Sequence, residues 1–411
     1  MRRAPYMALA HRDYRRLIAS QLLSLTGSQM QVVAINWHVY LLTKSPLALG
    51  FVGLTRVVPI IVFSLWGGLV ADRSDRRRVM IFTQTAMTAV ALGLAGATYF
   101  GRESLWLLYV LNAMGAAATA FDGPSRQALI PRLVPPEDLP GALSLNLSVF
   151  QAALIGGPAL SGLLIAQSGP GTRGLSVIYL INAFSFLAVI FALVTMRTSG
   201  APEQTEGNVE MSAALAEGLR FVFTTPIMVW TMGLDFLATF FSGATSLLPI
   251  FADQVLHVGA RGYGILAAAP AIGALAGALY LSVRPLPDNQ GRIFLWAVIA
   301  YGASTVVFGF SRSFWLTLIA LAGTGLADAI STVIRQTIRQ FVTPDRLRGR
   351  RTSINMLFFM GGPQLGELEA GLVASIFASV AVGVTVSVVS GGIATILITA
   401  VIATAAPMLR R

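Results

Sequence analysis

Val134-Pro135-Pro136-Glu137-Asp138-Leu139-Pro140-Gly141 returns in the second half of the chain as Val342-Thr343-Pro344-Asp345-Arg346-Leu347-Arg348-Gly349, in the shared pattern V-x-P-acid-x-L-x-G. An Arg-Gln pair precedes each copy, Arg126-Gln127 and Arg335-Gln336, and a Gly-Gly-Pro run follows each, Gly156-Gly157-Pro158 and Gly361-Gly362-Pro363. Three elements repeated in one order imply a duplicated chain. In a membrane protein, such duplication is the mark of a secondary transporter.

Composition says that the chain is a membrane protein. Of 411 residues, 55% are hydrophobic and 11% charged, and the mean hydropathy is +0.72. A water-soluble domain of this size needs a more polar exterior, so most of the surface must face lipid. A span takes about 20 residues, and the apolar runs fall at approximately 15–42, 46–71, 78–100, 104–130, 139–168, 175–196, 227–254, 260–283, 292–311, 314–340, 351–377 and 380–407. The expected fold is all-α, with twelve transmembrane helices in two pseudo-symmetric six-helix bundles. The polar stretch Arg197 to Glu210 divides them, so residues 1–196 and 227–411 read as bundles and 197–226 as a cytoplasmic linker. Within the linker, Met211, Leu215, Leu219 and Val222 recur at helical spacing opposite Glu210, Glu217 and Arg220, which predicts a surface amphipathic helix.

The formal charge of +11 would suggest nucleic acid in a soluble protein. Here the arginines crowd every second break between apolar runs: Arg2, Arg3, Arg12, Arg15 and Arg16; Arg73, Arg76, Arg77 and Arg78; the block from Arg335 to Arg351; and Arg410 with Arg411. The intervening breaks hold one basic residue each or none. By the positive-inside rule this alternation puts both termini in the cytoplasm. With no cysteine, thiolate ligands, disulfides and cysteine nucleophiles are excluded. The histidines His11, His38 and His257 are too scattered for a metal cluster. No phosphate loop, H-E-x-x-H or G-x-S-x-G motif appears, so neither ATP drive nor an enzyme is expected, and no cofactor.

Gly68-Leu69-Val70-Ala71-Asp72-Arg73-Ser74-Asp75-Arg76-Arg77-Arg78 resembles the loop between spans two and three of the major facilitator superfamily, with Val70 in place of a leucine and Asp75 in place of a glycine. Asn36-Trp37-His38-Val39-Tyr40-Leu41-Leu42-Thr43, the run Pro124 to Pro135, and Gly366-Glu367 are similar to the branch that contains bacterial enterobactin exporters and drug-efflux carriers. The resemblance implies that Gly68, Asp72, Arg73 and Arg76 form a cytoplasmic gate, with Asp72 accepting from a helix N-terminus and Gly68 permitting close helix approach. Arg77 and Arg78 serve topology. It also likens Gly157-Pro158-Ala159-Leu160-Ser161-Gly162 to an antiporter motif in span five, where small residues and proline allow packing and bending; Gly362 and Pro363 repeat it. Ordinary packing explains the same residues.

A charge at the bilayer centre costs about 2.5 to 3.5 kcal/mol on insertion scales, so each one needs a reason. Asp235, Asp328, Glu367, Glu369 and Arg56 lie deep in spans, and Asp122 and Arg126 share a face at i,i+4 nearer one end. Asp328 and Arg335, seven apart, also share a face. A carboxylate that gains and loses an arginine as a cavity opens and closes would bind and release a proton, whereas a fixed pair would be structural. Glu367 and Glu369 sit about 200° apart around a helix, so one of them is structural. Glu367 continues the Gly-Gly-Pro repeat as the resembling family does, which favours it as the proton site. Arg56, Arg126, Arg335, Asn36, His38 and Gln29 are candidates for a substrate cavity, though a lone buried histidine is also an ordinary packing residue.

The sequence therefore points to a monomeric, proton-coupled exporter of a small amphipathic or anionic compound, such as a drug or siderophore, in a bacterial inner membrane. Partners are substrate, protons and membrane lipid. Uptake or lysophospholipid flipping on the same scaffold, and a non-transporting receptor, remain as alternatives.

Overall fold

A computed structural model describes residues 5–168, 171–200, 220–283, 289–343 and 348–410, leaving aside the side chains of 5, 65, 69, 71, 72, 341, 348–360 and 410. Among the described residues there is no strand. The long helices are α1 (Arg12–Thr43), α2 (Pro46–Arg73), α3 (Arg76–Tyr99), α4 (Leu105–Leu129), α5 (Leu139–Gln167), α6 (Arg173–Val194), α7 (Pro226–Phe241), α8 (Gly259–Val283), α9 (Gln290–Phe310), α10 (Phe314–Val342), α11 (Arg348–Ser375) and α12 (Val380–Ala405). Beyond α7 the chain keeps winding through a 3-10 turn (Ala244–Leu247), one α-turn (Leu248–Ile250) and a π-turn (Phe251–Val255). Among the described residues, ten helical stretches are long and apolar enough to cross a membrane.

α1 falls outside that set. In α1 the reason is chemical. Ser20, Gln21, Ser24, Asn36 and His38 dilute its hydropathy, yet all five side chains are buried among neighbouring helices. Apolar side chains point the other way elsewhere: Phe82, Trp106, Phe191 and Trp315 are each more than two-thirds exposed, the surface expected of a protein solvated by hydrocarbon. The amphipathic helix expected from Met211 to Val222 lies almost wholly outside the described residues, as does half of the second V-x-P copy, residues 344–347.

The described chain forms two compact units. Unit 1 comprises residues 1–44, 55–204 and 259–268; unit 2 comprises 45–54, 205–258 and 269–411. Unit 1 packs Tyr14, Leu17, Met80, Leu129, Leu133, Val189 and Leu193 into one core. Its first V-x-P loop is tied down by Asp138, which pairs with His11 at 2.9 Å, and by the Tyr14 hydroxyl, which donates to the Ala142 carbonyl at 2.7 Å. Unit 2 gathers Leu234, Phe294, Leu295, Ile334, Ile402 and Leu409. Within unit 1, α5 and the start of α8 meet at Gly162 and Gly264, where a Cβ on either residue would stand 2.6 Å from the other's Cα.

The linker begins as a fastened strap. Asp13 accepts the Arg197 and Thr198 amides, each at 3.0 Å, and the Thr198 hydroxyl at 2.8 Å. The Arg76 amide donates to the Gly200 carbonyl at 3.0 Å, and Arg77 donates to the Val194 carbonyl at 2.9 Å. Burial would raise the Asp13 pKa, but the Thr198 and Arg197 hydrogen bonds, helped by the Arg12 charge, outweigh it and hold the carboxyl below its usual 3.8. A depressed carboxylate stabilises the fold above its unfolded pKa and loses that contribution as pH falls through the folded one. The amides of Arg197 and Thr198 are therefore expected to stay protected from hydrogen exchange at neutral pH and to lose protection below about pH 4. In Asp13→Ala they should exchange fast throughout; unchanged protection would refute the strap.

Candidate functional site

Among the described residues, each unit holds a buried carboxylate–arginine group. In unit 1 it is local. Asp122, 1% exposed, pairs with Arg126 one turn along α4 and accepts the Thr83 hydroxyl at 3.1 Å and the Gln84 amide at 2.9 Å from α3. Three donor side chains thus surround a carboxylate that would otherwise be costly in an apolar interior. Thr83 and Gln84 are the residues that sequence reasoning passed over. Two adjacent polar side chains inside the apolar run of α3 were their signal.

In unit 2 the group is spread over two helices. Arg335 on α10 pairs with Asp235 on α7, and both side chains are 4% exposed. The same Nη1 lies 3.6 Å from Asp328, whose side chain is 41% exposed, and donates to Ser331 at 3.2 Å. One turn further, buried Arg339 donates to the Thr231 hydroxyl at 3.0 Å and to the Thr231 carbonyl at 2.7 Å. A small cavity lined by Asp235, Asp328, Tyr301, Ser331 and Arg335 leaves about 10 Å³ for the centre of a water molecule, close to the room one water needs.

The repeat explains the relation between the two groups. Arg126 and Arg335 occupy equivalent Arg-Gln positions. Four residues before the first stands Asp122; four before the second stands Ser331, which is neutral. The acid paired with Arg335 is instead Asp235 on a neighbouring helix, and Asp328 is an additional one. Unit 1 therefore holds one acid against one arginine, enclosed by fixed donors, while unit 2 lets one guanidinium face two carboxylates beside a water-sized space.

Glu367 and Glu369 lie on α11, both half-buried. Glu367 faces Gly53 of α2 within unit 2: a Cβ there would stand 2.6 Å from its Oε2. Glu369 forms no ion pair among the described residues, nor does half-buried Arg56. Gln29 lies with its Cβ against Gly157, and a Cβ on Gly157 would also stand 2.9 Å from the Thr26 carbonyl. Asn36 is buried with its Oδ1 unbonded among the described residues. His38 is fully enclosed rather than open to a cavity, with Nδ1 3.1 Å from the Tyr179 hydroxyl. Pro158 and Pro363 lie inside α5 and α11, and a Cβ on Gly362 would stand 3.3 Å from the Phe236 carbonyl.

One expectation for the loop between α2 and α3 needs correction. Close approach was expected of Gly68, but a Cβ there meets no described atom within 4 Å; the tight glycine is Gly67, where a Cβ would stand 3.3 Å from the Phe121 Cα. The N-terminus of α3 is capped by Asp75, which accepts the Arg77 and Arg78 amides at 2.9 and 3.3 Å. An aspartate directly before a helix start is a standard N-cap signal. The side chain of Asp72 lies outside the described residues, Arg73 is exposed, and Arg76 is half-buried.

Comparison with known proteins agrees with this architecture. The multidrug efflux pump Tap of Mycolicibacterium fortuitum is 28% identical over 358 residues, covering 85% of this chain and 86% of that protein. The enterobactin exporter EntS of Citrobacter koseri is 24% identical over 371 residues, covering 90% and 87%. Among solved structures, a bacterial homologue of the lysosomal transporter Spinster matches with a TM-score of 0.74 at 15% identity, covering 99% and 98%. A bacterial homologue of the iron transporter ferroportin matches with a TM-score of 0.70 at 19% identity, covering 96% and 98%. The family described as transmembrane secretion effector matches residues 3–410. The chain therefore belongs to that family of the major facilitator superfamily, and is a multi-pass membrane transporter of small molecules rather than an enzyme.

Proposed function

We propose that the chain is a proton-coupled exporter that moves a small amphipathic or anionic compound out of a bacterial cytoplasm by alternating access. It works as a monomer of twelve spans, with bundles at 1–196 and 227–411 joined by the linker 197–226, and with both termini in the cytoplasm. The observation that carries the proton coupling is Arg335 held between two acids: the enclosed Asp235 and the half-open Asp328, 3.6 Å away beside a water-sized cavity. A guanidinium that leaves one carboxylate for the other exposes a site able to take a proton, and the water-sized space offers a path for it. Glu367 is the second proton site, and Arg56 contacts an anionic cargo. The named relatives, an efflux pump and a siderophore exporter, support export as the direction.

Flux in proteoliposomes under an imposed pH gradient, tried with cationic dyes and with a catecholate siderophore, is the decisive measurement. Gradient-driven flux is expected for at least one compound, with a loss of tenfold or more in Glu367→Gln. Normal gradient-driven flux in that variant would remove Glu367 from the mechanism. Flux only inward would replace export by uptake, and binding without flux would replace transport by reception.

A further inference from the structure

Unit 2 has a second cavity, apart from the carboxylate–arginine group, at the turn between α9 and α10. It measures about 230 Å³ and is walled by Gln254 and Val255 of the π-turn, by Arg312 of the α9–α10 turn, and by Val382, Thr385 and Val386 of α12. Local packing explains why these segments meet. Gly309 lets the end of α9 lie on α12, since a Cβ there would stand 3.2 Å from the Val389 amide nitrogen. Phe251 of the π-turn packs on Phe308 of α9 with ring centroids 4.7 Å apart. The turn itself is fixed by Ser311, which accepts the Thr317 hydroxyl at 2.9 Å and donates to the Ser313 carbonyl at 3.0 Å.

Arg312 is held in this wall but not neutralised. Its Nη1 donates to the Gly309 and Ser311 carbonyls at 3.2 and 3.0 Å, and its Nη2 to the Thr385 hydroxyl at 3.1 Å. It makes no ion pair among the described residues, and it is the only charged side chain among those lining the cavity; Asp253, next to Gln254, is not in the wall. Three of the five guanidinium N–H donors are therefore used, and Nε–H and one N–H on Nη2 remain. Capping the end of α9 accounts for the Nη1 bonds and leaves those two without a use. Two donors on one planar cation match two oxygens of a phosphate.

We propose that this cavity binds the phosphodiester of one phospholipid, with the Arg312 guanidinium on two phosphate oxygens and an acyl chain running down α12. The remaining wall is mostly apolar, through Val255, Val382 and Val386, which a soluble phosphate would leave uncovered. Below the cavity the same side of α12 continues through exposed Ile393 and Leu397, so the valine wall opens onto a surface made for hydrocarbon. Phe310 and Trp315, both exposed, flank Arg312 in sequence, as aromatic residues do at the level of lipid headgroups. The cavity is also smaller than the roughly 300 to 1,000 Å³ of sites for drug-sized ligands, which suits a headgroup and not a cargo. The site goes beyond the transport reading: only its assignment to the outer leaflet rests on the proposed topology, and the binding of the phosphodiester does not.

Native mass spectrometry of the delipidated, detergent-purified protein tests the site with three probes at limiting concentration: phosphatidylglycerol, the diacylglycerol with the same chains, and glycerol phosphate. A first phosphatidylglycerol is expected to bind more tightly than either of the other two. Arg312→Gln should weaken that first binding about tenfold, the scale of a hydrogen bond to a charged group. Arg312→Lys should weaken it less, because the charge stays while the planar fork is lost. Val386→Trp keeps the guanidinium but fills the cavity, and should match Arg312→Gln. Arg102→Gln and Arg173→Gln, which remove exposed arginines from other breaks, should change nothing. Equal losses in Arg312→Gln and Arg173→Gln would mean diffuse surface charge, and an unaffected Val386→Trp would put the lipid elsewhere. Diacylglycerol as tight as the phospholipid would leave only an apolar groove, and glycerol phosphate as tight would make this a site for soluble anions. Each of these four results overturns the proposal. Should Arg312→Gln fail to fold, as thermal unfolding would reveal, Val386→Trp and the comparison of probes on the parent protein still decide it.

Discussion

Replacing Arg335 by methionine is expected to destabilise unit 2 by about 3 to 5 kcal/mol, the scale for removing one partner of a buried ion pair. Asp235 would be left 4% exposed, facing a thioether in place of a guanidinium, with Asp328 on the same side. Asp235→Asn alone should cost less, since Arg335 keeps Asp328 and Ser331 as partners. The double variant Asp235→Asn/Arg335→Met should recover most of the loss, because it removes both charges and leaves an amide and an apolar chain of suitable volume. Thermal unfolding of the detergent-purified protein reads all three. A double variant as unstable as Arg335→Met would mean that the charge pair is not the source of the loss. Stability and flux should separate here: the double variant folds, yet without the acid–arginine exchange it should lose gradient-driven transport.

The second large effect is steric. Gly162 and Gly264 bring α5 and the start of α8 into backbone contact within unit 1, and a Cβ on Gly264 would also stand 2.6 Å from the Pro158 carbonyl. Backbone cannot swing aside as a side chain does, so Gly264→Leu is expected to cost at least about 3 kcal/mol, the upper end for overpacking. Gly264→Ala should cost less, because the crossing needs to widen only slightly. In contrast, Gly96→Ala in α3, where a Cβ meets nothing within 4 Å, should leave the melting temperature unchanged or slightly raised, since alanine favours helix. Equal losses at Gly96 and Gly264 would contradict the close crossing.

How much of this was legible in the sequence depends on where partners sit. Asp122 and Arg126 could be paired from spacing alone, because four residues on a helix is one turn. The contact of Asp328 with Arg335 was legible for the same reason, as two turns of α10. Asp235 could be recognised as a buried acid but not assigned to Arg335, since nothing local links α7 to α10. The donors Thr83 and Gln84 were hidden differently: hydropathy treats them as tolerated polar residues and is silent on what they bond. The fold itself was legible because apolar runs and arginine breaks are local signals. Even there, α1 is unusually polar for a span, and only its burial explains why Gln21, Asn36 and His38 are acceptable in it. The capping role of Asp75 was within reach, as an aspartate directly before a helix start.

The separation of Asp235 from Arg335 has a consequence for how the protein is made. The helix bearing Asp235 leaves the ribosome before Arg335 has been translated, a hundred residues later. At about 5 to 20 residues per second the delay is on the order of 5 to 20 s. Throughout that interval the acid has no guanidinium, and the nascent helix carries an insertion penalty of about 2.5 to 3.5 kcal/mol at the bilayer centre. Asp122 avoids this, because Arg126 follows within one turn and Gln84 precedes it in the neighbouring helix. The first half can thus enter the bilayer span by span with its acid already partnered, whereas α7 carries that penalty until α10 arrives.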